Sequence, residues 1–140
     1  MEPVAVVGGA VLRGGRVLAS RRTEPAGLAG LWEFPGGKVE AGESDVEAWR
    51  RELREELQVE AEVGARLGGD LAIGETAVLR VYLCSLLSGE PRLVDHDEHR
   101  WLAADELRDV AWIPVDLPLV DLLAEHLRAG PDGTVSAPRP

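Results

Sequence analysis

Apolar residues run through two short segments near the N-terminus in the pattern expected of β-strands. The first covers Val4–Leu12 and the second covers Arg16–Ser20. Between them stands Arg13-Gly14-Gly15, and a Gly-Gly pair favours a tight hairpin turn. The pattern therefore predicts a β-hairpin.

Turn-forming residues then interrupt this pattern. A loop is predicted over Arg21–Leu31, because the segment holds one proline and two glycines. Trp32-Glu33-Phe34 is predicted to form a short strand. Pro35-Gly36-Gly37 is predicted to end that strand, since proline and glycine mark turns.

The clearest helical pattern covers Ser44–Leu57. Ser44 is the predicted N-cap, and Glu47, three residues later, completes a capping box. Four apolar side chains fall on one narrow stripe of this helix, which predicts that the stripe packs on a sheet. They belong to Val46, Trp49, Leu53 and Leu57.

Three further strands and a second helix are predicted downstream. The strands cover Ala61–Gly69, Thr76–Leu87 and Arg100–Leu102, and the helix covers Leu117–Arg128. Mixed strands and helices predict an α/β sandwich of the α+β class. The apolar residues assigned to one side of the second helix are Leu119, Val120, Leu122, Leu123 and Leu127.

Length and composition indicate one globular domain. The chain has 140 residues, of which 45% are hydrophobic and 29% charged, as in ordinary soluble domains. We place the domain at residues 1–128 and predict a flexible tail over residues 129–140. No segment has the pattern of a membrane span or a secretory signal, so a cytoplasmic location is expected.

The net charge of −10 argues against one class of function, the binding of long nucleic acids. Binding of bulk DNA or RNA needs basic surface that displaces counterions, and this chain has the opposite balance. A small phosphorylated substrate remains compatible if a divalent metal mediates its approach. The lone cysteine, Cys84, excludes an internal disulfide and is predicted to be a packed core thiol.

Glu52, Glu55 and Glu56 fall together on another sector of the first helix. Like charges at this spacing destabilise a helix by roughly 0.2–0.5 kcal/mol per pair. Mg²⁺ reverses that sign, because it prefers carboxylate and phosphate oxygens. Gly36 and Gly37 are expected to permit backbone conformations that turn a carbonyl toward the metal. The alternative is a solvated helix face on which arginines neutralise the glutamates.

The spacing of these residues resembles the Nudix box, G-x5-E-x7-REU-x-EE-x-GU, where U is a bulky aliphatic residue. The match covers Gly37–Val59 and departs at Gln58, where the family usually has glycine. That glycine ends the helix in a left-handed conformation, so the departure concerns the helix exit. Trp32–Lys38 also resembles the entry to the box in MutT-like members. The likeness spans about Val4–Leu127 and implies a mixed central sheet with the glutamate helix packed on it.

The resemblance implies a magnesium-dependent hydrolase, with Mn²⁺ as an alternative metal. Arg51 would pair with Glu43 and hold the glutamates in register. Either Glu52 or Glu98 would deprotonate the attacking water, although Glu98 could equally belong to a solvated acidic loop. The implied metal ligands are Glu52, Glu55, Glu56 and the carbonyl of Gly36. Neighbouring His96 and His99 are expected to be surface residues.

For MutT-like members, attack at the β-phosphorus of a nucleoside triphosphate gives a monophosphate and pyrophosphate. Arg22 matches an arginine that contacts substrate in this group, and the alternative is a solvated charge at a strand end. The other substrate contacts implied by the resemblance are Glu33, Phe34, Pro35, Gly36, Gly37, Lys38 and Asp116.

Asp116 stands where MutT-like members meet the base. An ionised aspartate accepts from the N4 amino group of cytosine, which favours CTP, dCTP or 5-methyl-dCTP. The same carboxylate could equally accept from the amino and imino edge of guanine, and relatives that prefer 8-oxoguanine can carry asparagine there, so 8-oxo-dGTP is the alternative substrate. Asp116 could also cap the helix that begins at Leu117.

Two other function classes remain in view. An ADP-ribose or sugar-nucleotide Nudix hydrolase would share the box, and a non-catalytic nucleotide sensor would share the fold. The expected partner is a small nucleoside triphosphate, without bulk nucleic acid or membrane. Monomer and homodimer are both compatible with the sequence.

Overall fold

The computed structural model describes residues 3–93 and 96–129. Within them lie eight strands: β1 (Val4–Arg13), β2 (Arg16–Arg22), β3 (Trp32–Glu33), β4 (Gly36–Lys38), β5 (Glu60–Arg66), β6 (Leu71–Ile73), β7 (Ala77–Ser88) and β8 (His96–Leu102). The helices are α1 (Asp45–Glu52), which continues as a π-helical turn over Leu53–Leu57, and α2 (Leu117–Ala129). Two 3-10 turns cover Ala104–Asp109 and Pro114–Asp116. No helix of this described part is long and apolar enough to span a membrane.

The predicted elements are present with shifted bounds. The hairpin is confirmed, because Leu12 pairs with Val17 beside the Gly-Gly turn. β8 begins four residues before the predicted strand at Arg100–Leu102, and β6 was not predicted. Of the predicted tail over residues 129–140, only Ala129 lies within the described residues, as the last residue of α2.

The eight strands form one mixed sheet with the central order β3-β2-β1-β7-β5. β1 runs parallel to β7 from the pair Val4–Ala77 to the pair Leu12–Ser85. The other strand pairs among the described residues are antiparallel. The predicted α+β class and mixed sheet are confirmed.

The segment from Trp32 to Lys38 bridges β1 and β2. β3 pairs with β2, with Glu33 opposite Ser20, while β4 pairs with β1, with Gly36 opposite Gly8. β3 ends before Pro35, as predicted, but Gly36 and Gly37 begin a further strand, β4, which was not predicted. Backbone pairing on both sides therefore fixes the position of this segment in the sheet.

Alternate residues of the strands pack on opposite faces of the sheet, as strand geometry requires. On one face Val7, Val11 and Leu18 share a buried cluster with Trp49 and Leu53 of the first helix and its π turn. Cys84 lies in the same cluster, where Trp49 donates to its sulfur at 3.4 Å. The predicted core thiol is confirmed, and burial raises its pKa to about 12.

The opposite face packs against α2. Leu119, Val120, Leu123 and Leu127 are buried there with alternate residues of β1, β2 and β7. Leu122 was wrongly predicted on the buried side, because it is 43% exposed. One helix therefore covers each face of the sheet, which makes the molecule an α/β/α sandwich.

The first helix starts and ends as its sequence indicates. Ser44 accepts from the Glu47 amide at 3.1 Å, and the Glu47 carboxylate accepts from the Ser44 amide at 2.9 Å, which confirms the capping box. At the far end Gln58 has φ 59° and ψ 42°, the left-handed conformation that glycine normally supplies. The helix exit therefore has the expected shape in spite of the non-glycine residue.

Candidate active site

A polar cavity of about 410 Å³ lies where the π turn, β3, β4 and β8 meet. Carboxylates dominate its walls, and one arginine stands at its rim. We call it the polar cavity. Its lining comprises Arg22, Thr23, Glu24, Glu33, Gly36, Glu52, Glu56 and His96.

Glu52 reaches this cavity across Gly37. A Cβ atom at Gly37 would stand 2.3 Å from the Glu52 carboxyl carbon, so any larger residue would displace that carboxylate. Neither Gly36 nor Gly37 has a positive φ, since both belong to β4. The expectation that these glycines supply unusual backbone conformations was wrong, because what they supply is space.

Arg51 does not line the polar cavity, but its positive charge balances Glu43, Glu52 and Glu55. Its guanidinium donates to both carboxylate oxygens of Glu43, at 2.8 and 3.0 Å, and to Glu52 at 2.8 Å. It also reaches Glu55 at 3.2 Å and the Lys38 carbonyl at 3.0 Å. These hydrogen bonds lower the pKa of Glu43 to about 2 and raise the pKa of Arg51. The predicted pairing of Arg51 with Glu43 is present in the structure.

The other two helix glutamates differ sharply in environment. The side chain of Glu56 is 7% exposed and lines the polar cavity. The side chain of Glu55 is 63% exposed and does not belong to the cavity lining. The carboxylates of Glu52 and Glu56 face the same cavity. Together they offer oxygen ligands suited to a hard divalent cation such as Mg²⁺.

His96 is buried in the cavity wall, which corrects the expectation of a surface residue. Its side chain is 3% exposed, and its Nε2 lies 2.9 Å from Glu33 Oε2. Its Nδ1 lies 3.6 Å from Glu56 Oε1. One ligand atom from each of these three residues lies within 4.8 Å of the others, a spacing that could hold a metal ion. His99 is half-buried, and desolvation lowers its pKa.

Sequence reasoning missed His96 because the strand was predicted to begin at Arg100. Side chains on one face of a strand recur every second residue. The pairing of β8 with β2 shifts register between Arg21 and Arg22, whose partners are Glu98 and His96, so the two-residue repeat does not continue from Leu102 to His96. No local pattern therefore indicated that His96 faces inward.

Arg22 stands between the polar cavity and a second cavity. Its Nη1 donates to Glu33 Oε1 at 2.8 Å, and its Nε donates to the Glu24 carbonyl at 3.0 Å. Arg22, Glu33 and Gly36 line both cavities. A ligand that fills both cavities would therefore pass this ion pair.

The second cavity, of about 490 Å³, has mainly apolar walls, and we call it the apolar cavity. Its lining includes Phe34, Gly37 and Lys38 of the bridging segment, together with Ile113, Val115 and Asp116. Phe34 packs against Trp112 with ring centroids 4.9 Å apart. Pro35 is buried behind it and accepts from the Gly9 amide at 3.0 Å.

Asp116 is the buried carboxyl of the apolar cavity. It is 2% exposed, and its Oδ2 accepts from the Phe34 amide at 3.1 Å. Burial raises its pKa to about 7. Near neutral pH this carboxyl can therefore present either an acceptor or a donor to a ligand.

Glu98 lies apart from the residues just described. It belongs to β8 rather than to a loop, and its Oε1 lies 3.3 Å from Arg21 Nη1. It lines neither the polar nor the apolar cavity. The structure brings together Glu52, Glu56 and Gly36 but leaves Glu98 outside their cavity.

Comparisons with known proteins agree with this geometry. A family model described as the NUDIX domain matches residues 2–127. A Mycobacterium tuberculosis protein provisionally named 8-oxo-dGTP diphosphatase 2 is 49% identical over 87% of this chain and 89% of its own length. The CTP pyrophosphohydrolase of Escherichia coli is 34% identical over 86% of this chain and 91% of its own. The solution structure of the E. coli ORF135 protein superposes with a TM-score of 0.78 at 32% identity, over 94% of this chain and 95% of that one.

Proposed function

The chain belongs to the NUDIX family of hydrolases, and we propose that it is a nucleoside triphosphate pyrophosphohydrolase. It would release a nucleoside monophosphate and pyrophosphate. The observation that carries the proposal is the pair of adjoining cavities, one walled by carboxylates and one mainly apolar. A metal-bound triphosphate suits the first cavity, and a base suits the second.

Glu52, Glu56 and the Gly36 carbonyl would hold Mg²⁺, and exposed Glu55, which accepts from Arg51 at 3.2 Å, would be the outermost member of the cluster. The bound cation supplies the charge neutralisation that phosphate transfer needs. Arg51 keeps Glu52 in place through a 2.8 Å hydrogen bond, while Glu43 fixes Arg51. We assign Arg22 a contact with the phosphate chain of the substrate. Its position supports this, because Arg22 lines both cavities where they meet.

Glu52 is our candidate for the group that accepts the proton of the attacking water. It faces the polar cavity, and hydrogen bonding to Arg51 leaves it anchored. Glu98 is the weaker candidate, since it contacts Arg21 outside that cavity. A single replacement at each position separates the two assignments.

We infer a preference for cytosine nucleotides from Asp116. As an anion this carboxyl can accept from the N4 amino group of cytosine. Its hydrogen bond to the Phe34 amide fixes its orientation in the apolar cavity. CTP, dCTP and 5-methyl-dCTP are therefore the favoured substrates.

The second candidate is 8-oxo-dGTP. The observation in its favour is the 49% identity to the M. tuberculosis relative, which is named for that substrate. An ADP-ribose or sugar-nucleotide hydrolase would release two monophosphate products instead. A sensor without turnover would be expected to lack a box glutamate, whereas Glu52, Glu55 and Glu56 are all present.

A nucleotide panel tests the proposal. The purified chain would be given CTP, dCTP, 5-methyl-dCTP, 8-oxo-dGTP, dTTP and ADP-ribose with Mg²⁺, and kcat/KM and products would be measured. We expect pyrophosphate as a product and the highest kcat/KM with a cytosine nucleotide. Orthophosphate as the only inorganic product, or release of two monophosphates, would overturn the proposed reaction. A preference for 8-oxo-dGTP would leave the reaction in place and replace the base.

A further inference from the structure

His96 is held between carboxylates from two different elements. Its Nε2 lies 2.9 Å from Glu33 on β3, and its Nδ1 faces Glu56 on the π turn at 3.6 Å. Arg22 in turn donates to the other oxygen of Glu33 at 2.8 Å. These contacts form a row of four side chains in the wall of the polar cavity. The row begins at Arg22, where the two cavities meet, continues through Glu33 and His96, and ends at Glu56 on the π turn.

The Nδ1 atom is the unusual member of this row. It is buried and has no hydrogen-bond partner, because 3.6 Å is too long for a hydrogen bond to Glu56. Burial of a polar atom without a partner is unfavourable, because the atom loses its hydrogen bonds to water. A proton on Nε2 that is donated to Glu33 leaves the lone pair on Nδ1 in the neutral ring. That lone pair then faces the Glu56 carboxylate, and a cation bound between the two acceptors would be stabilised by both.

The distance between the two atoms fits shared ligation. Two ligands bonded at about 2.1 Å with a tetrahedral angle stand roughly 3.4 Å apart. The Nδ1–Oε1 distance of 3.6 Å is close to that value. Metal-bound histidines also usually donate their other ring N–H to a carboxylate, which orients the ring. Glu33 stands in that position.

We propose that His96 Nδ1 and Glu56 form a cation site of mixed nitrogen and oxygen donors, with Glu33 orienting the imidazole. Imidazole is a good ligand for zinc, iron, nickel and copper, and Mn²⁺ accepts it beside carboxylates, whereas Mg²⁺ favours oxygen ligands. The site therefore selects a transition-metal ion over Mg²⁺. This rests on the proposed metal role of Glu56 but not on any choice of base or reaction.

Mn²⁺ binding to the nucleotide-free protein tests the site directly. Free Mn²⁺ would be titrated by electron paramagnetic resonance, and a pulsed measurement would detect the coupling of bound Mn²⁺ to an imidazole nitrogen. We expect nitrogen coupling in the wild type. His96→Gln should abolish it and weaken Mn²⁺ affinity by about tenfold or more, with little change in Mg²⁺ affinity. Glu33→Gln should keep the coupling and weaken Mn²⁺ affinity about 10-fold to 100-fold.

His99→Gln is the matched control, since its ring lies 6.0 Å from that of His96 and outside the polar cavity. It should retain the coupling, and thermal unfolding should show that each variant is folded. Two results would overturn this site without affecting the proposed function: bound Mn²⁺ that shows no nitrogen coupling, or coupling that persists in His96→Gln. His96 would then only pair with the carboxylates beside it and would not bind a metal. Failure of the wild type to bind any Mn²⁺ or Mg²⁺ would also overturn the proposed function.

Discussion

The polar and apolar cavities adjoin, yet they are assembled in opposite ways. The key carboxylates of the polar cavity, Glu52 and Glu56, are one helical turn apart and come with their own counter-charge at Arg51. The apolar cavity draws its walls from β1, β4, β6, β7 and the turn before α2. A short-range sequence pattern therefore specifies the helix carboxylates of the first cavity, whereas the walls of the second come together only in the folded sheet.

Their electrostatics differ as well. Carboxylates in the polar cavity are balanced by Arg51 and Arg22, at 2.8 Å from Glu52 and Glu33 respectively. In the apolar cavity Asp116 is buried, and its pKa is raised to about 7. We therefore expect changes in the polar cavity to affect all substrates alike, and changes in the apolar cavity to discriminate among them.

Glu52→Gln should have the largest effect. The amide keeps the shape of the side chain but can neither accept a proton nor bind a cation strongly, so kcat should fall by about 10²-fold to 10⁴-fold for every nucleotide. Steady-state kinetics with dCTP and 8-oxo-dGTP would measure this. Exposed Glu60→Gln on β5 is the control for loss of one charge and should retain wild-type rates. A Glu52→Gln variant with more than about a tenth of wild-type activity would exclude both roles assigned to Glu52.

Arg51→Lys should have the next largest effect. Lysine keeps the charge but cannot donate to Glu43 and Glu52 through one planar fork. Residues that orient metal ligands typically contribute about 10-fold to 100-fold, and we expect that loss in kcat/KM for all bases. Arg54→Lys, on the exposed part of the helix, is the matched control. A loss confined to one base would show that the two cavities are not separable in this way.

The difference between the cavities also explains what could be predicted from sequence. Glu52, Glu56 and the capping box at Ser44 follow from helical periodicity, which depends on neighbours within a few residues. The position of Asp116 beside the Phe34 amide joins residues 82 positions apart, which no local pattern specifies. Only the family resemblance indicated that this loop meets a ligand.

Errors in the sequence interpretation have physical causes. Gly36 and Gly37 were assigned a conformational role, but their β4 partner β1 lies far away in the sequence, and the need for space at Gly37 arises from Glu52. The burial of His96 depends on the pairing of its strand with β2, more than 70 residues earlier, and the polar residues around it gave no sign of this contact. Both errors concern contacts that the tertiary fold creates.

Titration of Asp116 should change base preference by a smaller factor. 5-Methyl-dCTP and dTTP share the 5-methyl group, but cytosine offers an N4 donor where thymine offers an O4 acceptor. Since the pKa of Asp116 is about 7, its ionised fraction rises about tenfold between pH 6 and pH 8. The ratio of kcat/KM for 5-methyl-dCTP to that for dTTP should rise by up to about the same factor. Common effects of pH on the metal and water cancel in this ratio.

Asp116→Asn is the control for this titration, because asparagine is uncharged throughout the range and should give a flat ratio. Stability provides a second check. The pKa of this carboxyl is near 7 in the folded protein and has its ordinary value of 3.8 in the unfolded chain, so between these pH values the folded protein keeps a proton that the unfolded chain releases. Stability from this group is complete below about 3.8 and is lost as pH rises toward 7. The variant should therefore gain Tm relative to wild type more at pH 8 than at pH 5.

Gln58→Gly should have the smallest effect and should leave both cavities unchanged. Gln58 is exposed with φ 59°, a conformation that costs a residue with a side chain roughly 1–2 kcal/mol and glycine almost nothing. Glycine also loses more chain entropy on folding, about 0.5–1 kcal/mol, so the net gain should be under about 1 kcal/mol and the rise in Tm at most about 2–4 °C. Gln58→Ala keeps the strain and should give no such rise in thermal unfolding. If Gln58→Gly also altered kcat, the helix exit would contribute to placing Glu56, and the polar cavity would depend on more than the spacing of its glutamates.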